Sequence, residues 1–426
     1  MAYPAMLTLQ VPPSKSITHR ALILGAMAPG TQIHNPLLTG DGRSTLDALT
    51  TLGASSEWNP HTLTFTRAWT HPSSRVSLNC GNSGTTLRLL IGQVARTLNS
   101  VTLTGDSSLQ ARPNQELLQA LTQLGVTVHA PLGRAPVQIT GPLKAGRVQL
   151  SGEVSSQYAS SLLLTLPFLD GDSVIHVSGP IASRPYLDLT TSVATAFGLR
   201  WTEETHGEGL TFRVPGGQVP HSTQLTVEGD WSSAAFPLVA AAAHRVPLCL
   251  TGLDPQSAQG DRHAVEALTA FGLQLHWEKS ALMLTPQALR SPGHIHLEDT
   301  PDLFPALCAL AAVTPGDTRI TATKGLRYKE SDRISGMADA LRAVGVQVRE
   351  ESQGLTITGG PLSGGNVPTQ GDHRVHMAVA AIAGTAASMV KIDHPESATV
   401  SYPEFHHHLD VIQRNAIDSP PHSKMR

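Results

Sequence analysis

The sequence predicts an α/β protein of two pseudo-symmetric lobes, each made of three copies of one unit. Three observations carry this. A helix-end pattern recurs as Ala48-Leu49-x-x-Leu52-Gly53, Ala120-Leu121-x-x-Leu124-Gly125, Val193-Ala194-x-x-Phe197-Gly198, Ala267-Leu268-x-x-Phe271-Gly272 and Ala340-Leu341-x-x-Val344-Gly345, an interval of ~73 residues. Each glycine is followed by an alternating segment, such as Val126 to His129 or Val346 to Arg349, and then by a turn and a second strand. Those second strands fall at Leu63 to Thr66, Val137 to Ile139, Leu210 to Phe212, Leu282 to Leu284 and Leu355 to Ile357. Finally, the Pro/Gly-rich stretch Val214 to Pro220 divides the chain after the third copy.

Glycine after the last apolar-periodic residue is the usual helix stop, because C′ takes a left-handed conformation that a Cβ disfavours. One more interval beyond Gly345 reaches Asp418, just past the helical run His408 to Asn415, so a sixth copy loses its hairpin to the chain end. The expected division is residues 13–222 for the first lobe and 1–12 plus 223–426 for the second, with a ligand between them.

The 426 residues are 40% hydrophobic and 15% charged, with a formal net charge of −3. That balance argues against nucleic acid as a bulk partner, so an anion site must be assembled from a few local cations. No apolar run approaches the ~20 residues of a membrane span, and the N-terminus lacks the basic and apolar regions of a signal peptide. Cys80, Cys249 and Cys308 are odd in number and widely spaced, which suits small core residues in a reducing compartment. The expectation is a cytoplasmic protein, working as a monomer, with neither membrane nor nucleic acid as partner.

Along the chain, Pro12-Pro13-Ser14-Lys15-Ser16-Ile17-Thr18-His19-Arg20 opens the first helix, whose buried face is Ile17, Ala21, Leu24 and Ala28. Lys15 stands at its mouth, and Ser16 and Arg20, four apart, share another face. Gly81-Asn82-Ser83-Gly84-Thr85-Thr86-Leu87-Arg88 then presents small residues and unpaired backbone N–H groups at a helix start. The dipole there favours an anion, and glycine lets one approach. Alone, the same turn serves a ligand-free capped helix equally well.

Arg112 precedes Pro113 and is held extended, aimed as a fork for a carboxylate. Ser155-Ser156-Gln157 and Ser183-Arg184-Pro185-Tyr186 precede helical runs, where hydroxyls either cap the helix or hold phosphate oxygens. The second half brings Asp302 before the apolar run Leu303 to Val313, then Lys329-Glu330-Ser331-Asp332-Arg333, then Asp372-His373-Arg374. A solvated, charged helix start explains each of these in isolation. His406, His407 and His408 point in different directions on a helix, so an exposed face fits them better than a metal site.

Taken together, Pro-Ser-Lys-Ser-x-x-x-Arg, Gly-Asn-Ser-Gly-Thr-Thr-x-Arg, Ser-Ser-Gln, Ser-x-Pro-Tyr, Lys-Glu-x-Asp-Arg and Asp-His-Arg resemble the 5-enolpyruvylshikimate-3-phosphate synthase family, essentially end to end. Glu228 to Ala235 is similar to that family's entry into its second lobe. The resemblance implies βαβαββ units in an inside-out α/β barrel, an N-terminal strand crossing to the second lobe, and an active site in the inter-lobe cleft. It implies transfer of the enolpyruvyl group of phosphoenolpyruvate to the 5-hydroxyl of shikimate 3-phosphate, through a tetrahedral adduct that loses phosphate, with no metal or other cofactor.

By the same resemblance Lys15, Ser16, Arg20, Ser155, Ser156, Gln157, Ser183, Asp302 and Lys329 would bind shikimate 3-phosphate. Lys15, Gly84, Arg112, Gln157, Arg333 and Arg374 would bind phosphoenolpyruvate. Asp302 would be the base on the hydroxyl, Glu330 the proton donor to the methylene carbon, and Lys15 a third catalytic group. Gly84 leaves room beside the enolpyruvyl site, which implies inhibition by glyphosate.

Two positions depart from the family pattern. Gly325 stands where an asparagine is common, and Val400 where a lysine commonly precedes the Ser401-Tyr402-Pro403 element. Phosphoenolpyruvate affinity would then rest more heavily on Arg333 and Arg374. The sister transferase acting on UDP-N-acetylglucosamine carries a cysteine in the loop matching Gly105 to Pro113, where this chain has Ser107. A non-catalytic anion-binding repeat protein would need the cations but not the pair Asp302 and Glu330.

Overall fold

In a computed structural model, which describes residues 6–416, the repeat is laid out as six related units. Five contribute a four-stranded sheet of one plan. Each has a pair of parallel strands with an antiparallel hairpin added to one of them; in three of the five sheets a buried helix joins the parallel pair directly, and in the other two the edge strand comes from a distant part of the chain. In one such sheet Val76–Asn79 runs parallel to Val101–Thr104, and Thr127–His129 with Val137–Thr140 forms the hairpin. The sixth unit has, among the described residues, only the parallel pair Gly365–Val367 and Val390–Ile392, followed by the helix Phe405–Arg414. Asp418 lies outside the described residues.

All five repeat glycines have the left-handed backbone expected of a helix stop, with φ between 81° and 100°. In every case an outer, amphipathic helix ends there and the hairpin begins. The inner helices are different in kind. Phe304–Ala312 is buried at every position, and so is nearly all of Lys15–Gly25 and Gly84–Val94. Helices apolar all round must be enclosed by protein. In the second lobe Trp231–His244, Phe304–Ala312 and His373–Ala383 each pack on the other two. In the first, Gly84–Val94 packs against both Lys15–Gly25 and Gln157–Leu163. Sheets surround helices, the reverse of an ordinary α/β layer.

Two separate apolar cores result. One gathers residues from Ile17 to Val227. The other gathers Leu9 and Val11 with residues from Trp231 to Ile412. The chain passes between them twice. Leu7–Gln10 pairs parallel with Leu248–Thr251 in the second lobe, as the family resemblance implied. In exchange, Gln224–Thr226 pairs parallel with Gln32–His34 in the first. The boundary expected between residues 222 and 223 is therefore corrected to one beyond Val227. With the N-terminal strand in the other lobe, the first unit needs a parallel edge strand, and 224–226 supplies it. The two crossings lie side by side, Ser14 donating to the Glu228 carbonyl and Asp230 to the Pro12 carbonyl, both at 2.8 Å.

Candidate active site

Side-chain caps set where the inner helices begin. Ser83 Oγ accepts from Thr86 N at 3.1 Å, Asp230 Oδ1 from Ser233 N at 2.7 Å, and Asp372 Oδ1 from Arg374 N at 2.9 Å. The starts of the inner helices converge, including those of Gln157–Leu163 and Phe304–Ala312, which carry no side-chain cap. Lys15 and Ser16, Gly84 and Thr85, Ser156 and Gln157, Asp302, and Arg374 all lie in or beside the first turn of an inner helix, and all line one cleft between the lobes. Partial positive charge at several helix starts thus adds to the side-chain cations.

The cleft is open at its mouth and, together with the solvent space it opens into, spans about 850 Å³. The candidate residues Lys15, Ser16, Gly84, Arg112, Ser155, Ser156, Gln157, Ser183, Asp302, Lys329, Glu330, Arg333 and Arg374 are all in its lining. Arg20 is the exception, lying just outside that lining. Its guanidinium turns behind the wall, donating to Thr190 Oγ1 at 2.8 Å and to the carbonyls of Ser16 at 2.9 Å and Tyr186 at 3.3 Å. A buried guanidinium needs acceptors, and those carbonyls provide them. Of the two departures, Gly325 lines the cleft and Val400 does not. The Val400 backbone instead presses on Gly40, where a Cβ would stand 2.7 Å from Val400 Cα.

The lining holds six cations (Lys15, Arg88, Arg112, Lys329, Arg333, Arg374) against three carboxylates (Asp41, Asp302, Glu330), a surplus of three positive charges in a chain whose net charge is −3. Arg333, 1% exposed, is the hub. It meets Asp302 at 2.8 Å, Asp372 at 2.9 Å and Glu330 at 2.5 Å. Asp302 also meets Arg374 at 3.2 Å and Lys329 at 3.4 Å. Burial pushes the Asp302 carboxyl up, but Arg374, Lys329 and Arg333 together hold it well below the usual carboxylate range. The same contest at Glu330, between burial and the charges of Arg333, Arg112 and Lys15, also ends well below that range. As the site stands, Glu330 is a carboxylate rather than an acid, a difference from the proton-donor role that the resemblance implied.

Lys15 Nζ is 3.0 Å from Asp41 Oδ2. Burial works against the ammonium, yet Asp41 and Glu330 keep its pKa above the ordinary lysine value. Arg112 donates to Asn82 Oδ1 at 2.6 Å and Ser108 Oγ at 3.2 Å, while its buried Nε has no partner within the protein. Its Nη1 lies 3.2 Å from the position a Cβ on Gly84 would take. Arg112 is extended before Pro113 (ψ 138°), as the sequence predicted. The lobes touch across the cleft: Ser108 Oγ donates to the Glu330 carbonyl at 2.9 Å, and Arg112 Nη1 is 4.0 Å from Glu330.

Sequence reasoning missed Asp41, and it gave Arg88 and Tyr186, though both stand in the quoted motifs, no role in the site. Arg88 sits one turn after Gly84, donates to Gln157 Oε1 at 2.8 Å and lies over the Tyr158 ring. With Thr85 Oγ1 accepting from Gln157 Nε2 at 3.0 Å, it fixes the Gln157 amide. The i, i+4 relation to Gly84 was the available signal. Tyr186 closes the Ser-x-Pro-Tyr motif, and its hydroxyl is 3.2 Å from Asp302 Oδ2. Nothing local marked Asp41. Among the described residues, no group of three or more His, Cys, Asp or Glu side chains is placed to hold a metal ion. The three cysteines are buried free thiols.

Residues 5–409 match the family model for EPSP synthase (3-phosphoshikimate 1-carboxyvinyltransferase). A protein of Methanocorpusculum labreanum named 3-phosphoshikimate 1-carboxyvinyltransferase is 40% identical over 402 residues, covering 93% of this chain and 94% of its own. One of the same name from Halobacterium salinarum is 37% identical over 408 residues, covering 93% and 94%. A solved EPSP synthase from Acinetobacter baumannii superposes with a TM-score of 0.76 at 28% identity, covering 95% of each chain.

Proposed function

The chain belongs to the EPSP synthase family and transfers the enolpyruvyl group of phosphoenolpyruvate to shikimate 3-phosphate in aromatic biosynthesis, and we propose that the inter-lobe cleft does so as follows. Shikimate 3-phosphate lies against Lys15, Ser16, Ser155, Ser156, Gln157, Ser183, Asp302 and Lys329. Arg20 supports that wall from behind, through the carbonyls of Ser16 and Tyr186. Phosphoenolpyruvate lies against Lys15, Gly84, Arg112, Gln157, Arg333 and Arg374. The observation that carries this reading is the surplus of cations in a cleft walled by both lobes.

Two polyanions must be held in contact, and in water their repulsion and the loss of free motion oppose it. Fixed cations at low dielectric offset the first, and fixed orientation lowers the barrier by up to ~7–11 kcal/mol. Asp302, ionised and beside Lys329, takes the proton of the 5-hydroxyl as its oxygen attacks the enolpyruvyl carbon. Glu330 gives a proton to the methylene carbon. It acquires that proton when the substrate anions engage Arg333 and Arg112, because their positive charge is what keeps Glu330 ionised. In the second step Glu330, now a carboxylate, takes a proton back from the methyl carbon as the C–O bond to phosphate breaks, which gives the enol ether and free phosphate.

Both walls come from one chain, which supports a monomer as the working unit. Three buried free thiols fit the cytoplasm. The test is phosphate release from shikimate 3-phosphate and phosphoenolpyruvate by purified protein in chelator. Release under those conditions is expected. Release only with UDP-N-acetylglucosamine in place of the shikimate ester would overturn the reading.

A further inference from the structure

Asp261 is a buried carboxylate for which the chemistry above has no use. It is 4% exposed, on the turn Gly260–His263. Its Oδ2 accepts from Ser232 Oγ and, at 3.2 Å, from the hydroxyl of Tyr186. Its Oδ1 has no hydrogen-bond partner in the protein. The residue borders a small cavity beside the cleft, shared with Ser16, Tyr186, Asp230 and Gln259. The same Tyr186 hydroxyl is 3.2 Å from Asp302 Oδ2. A phenol has one proton to donate, and two carboxylates from the opposite lobe claim it.

The charged and titratable groups around Asp261 are Tyr186 on the helix Pro185–Ala196, Asp230 before Trp231–His244, Asp302 before Phe304–Ala312, and Arg374 on His373–Ala383. Arg262 and His263, on its own turn, are exposed. The problem they bear on is the basicity of Asp302. Three cations make that carboxylate easy to ionise and correspondingly reluctant to take up a proton.

We propose that Asp261 is a positioning residue of the transfer reaction: through the Tyr186 hydroxyl it shares one proton with Asp302, so that a second buried carboxylate carries the proton that Asp302 removes from the attacking hydroxyl. The proposal rests on Asp302 being the base. The hydroxyl O–H bond breaks as the new C–O bond forms, and the proton passes to Asp302. Tyr186 takes that proton on its oxygen while passing its own to Asp261, so the phenol remains neutral. When phosphate leaves, the reverse hop returns the proton, and the departing phosphate oxygen carries it away. Nothing is oxidised or reduced. Linked carboxylates titrate as a pair, and burial, with the Asp302 charge next, pushes Asp261 up to about 6.

The experiment is the pH profile of kcat, with both Michaelis constants, from pH 4.5 to 9. The wild type loses kcat below about pH 6, when Asp261 already carries its proton. Asp261→Asn should lower kcat about tenfold or more, leave both Michaelis constants within about twofold and remove that acid limb. Tyr186→Phe should remove the same limb, and the double variant should lose no more kcat than the larger single loss. Ser232→Ala, which deletes a hydrogen bond favouring the ionised Asp261, should move the limb to higher pH. An Asp261→Asn enzyme with wild-type kcat and profile overturns the proposal, as does a uniform loss of kcat with the limb unmoved. Asp302→Asn separates the two readings. If it turns over normally, the assignment of the base fails and this proposal with it. If it is inactive while Asp261→Asn matches the wild type, only the role of Asp261 fails.

Discussion

Glu330 is the residue whose surroundings and proposed task pull hardest against each other. Its carboxyl touches Arg333 and faces Arg112, so a proton resides there only after a substrate anion has engaged those guanidiniums. Glu330→Gln keeps the shape and removes the proton. It should lower kcat by about 10²-fold or more while substrate dissociation constants change little. Equal loss of turnover and binding would make the residue architectural. Two buried histidines make a prediction about stability. Burial, with a smaller contribution from nearby cations, lowers His19 and His373 from 6.5 to about 3. In the unfolded chain they take up protons below pH 6.5, whereas the folded chain holds them neutral. The stability they contribute is therefore complete above pH 6.5 and is lost as pH falls toward 3. Asp261, raised to about 6, acts in the opposite sense across part of this window, so the informative comparison is between variants. His19→Gln should show a shallower fall in melting temperature between pH 6.5 and 5 than the wild type, and an equal slope would contradict this. Lys15, Arg112, Asp302 and Glu330 were legible in the sequence because they sit at capped helix starts or next to proline. Asp41 and Tyr186 were not, because each acts through a partner distant in the chain, Lys15 for one and Asp302 for the other. For Arg20 the four-residue spacing from Ser16 gave the helix face correctly, but not the carbonyls that turn its guanidinium away.

Helix ends were the most readable elements. A glycine that must adopt a left-handed backbone leaves a mark at a fixed place, and five such marks at one interval disclosed the repeat. Gly53 (φ 100°) has nothing closer than 3.5 Å to a Cβ, so Gly53→Ala should cost only the conformational term, about 1 kcal/mol. At Gly345 (φ 86°) the Cβ would stand 2.5 Å from Ser363 Oγ, and Gly345→Ala should cost more. Urea midpoints at constant slope measure both; equal costs would mean that the Ser363 side chain moves aside freely. The exchange of edge strands was harder to read. The strands involved, Leu7–Gln10 and Gln224–Thr226, span four and three residues, and their pattern gives an orientation without naming a partner. Alternation reports which face is buried, not which sheet receives the strand. That is why the resemblance, and not the pattern, supplied the N-terminal crossing, and why the return crossing was drawn a few residues too early.

At the scale of the whole molecule, repetition is what builds the site. Each unit contributes an inner helix, packing those helices against one another brings their starts to one end of a lobe, and facing the lobes brings the two sets of starts together. An acidic chain thereby acquires a locally cationic cleft from segments more than 350 residues apart in sequence, Lys15 to Arg374. The central claim is that the lobes share one substrate, and the Michaelis constant for phosphoenolpyruvate in Arg112→Ala and in Arg374→Ala tests it most directly. Loss of a charge-assisted hydrogen bond costs ~1.5–3 kcal/mol, so the constant should rise about tenfold or more in each variant, one from each lobe. A constant unchanged by either substitution would mean that this substrate is held by one lobe alone, and would contradict the account.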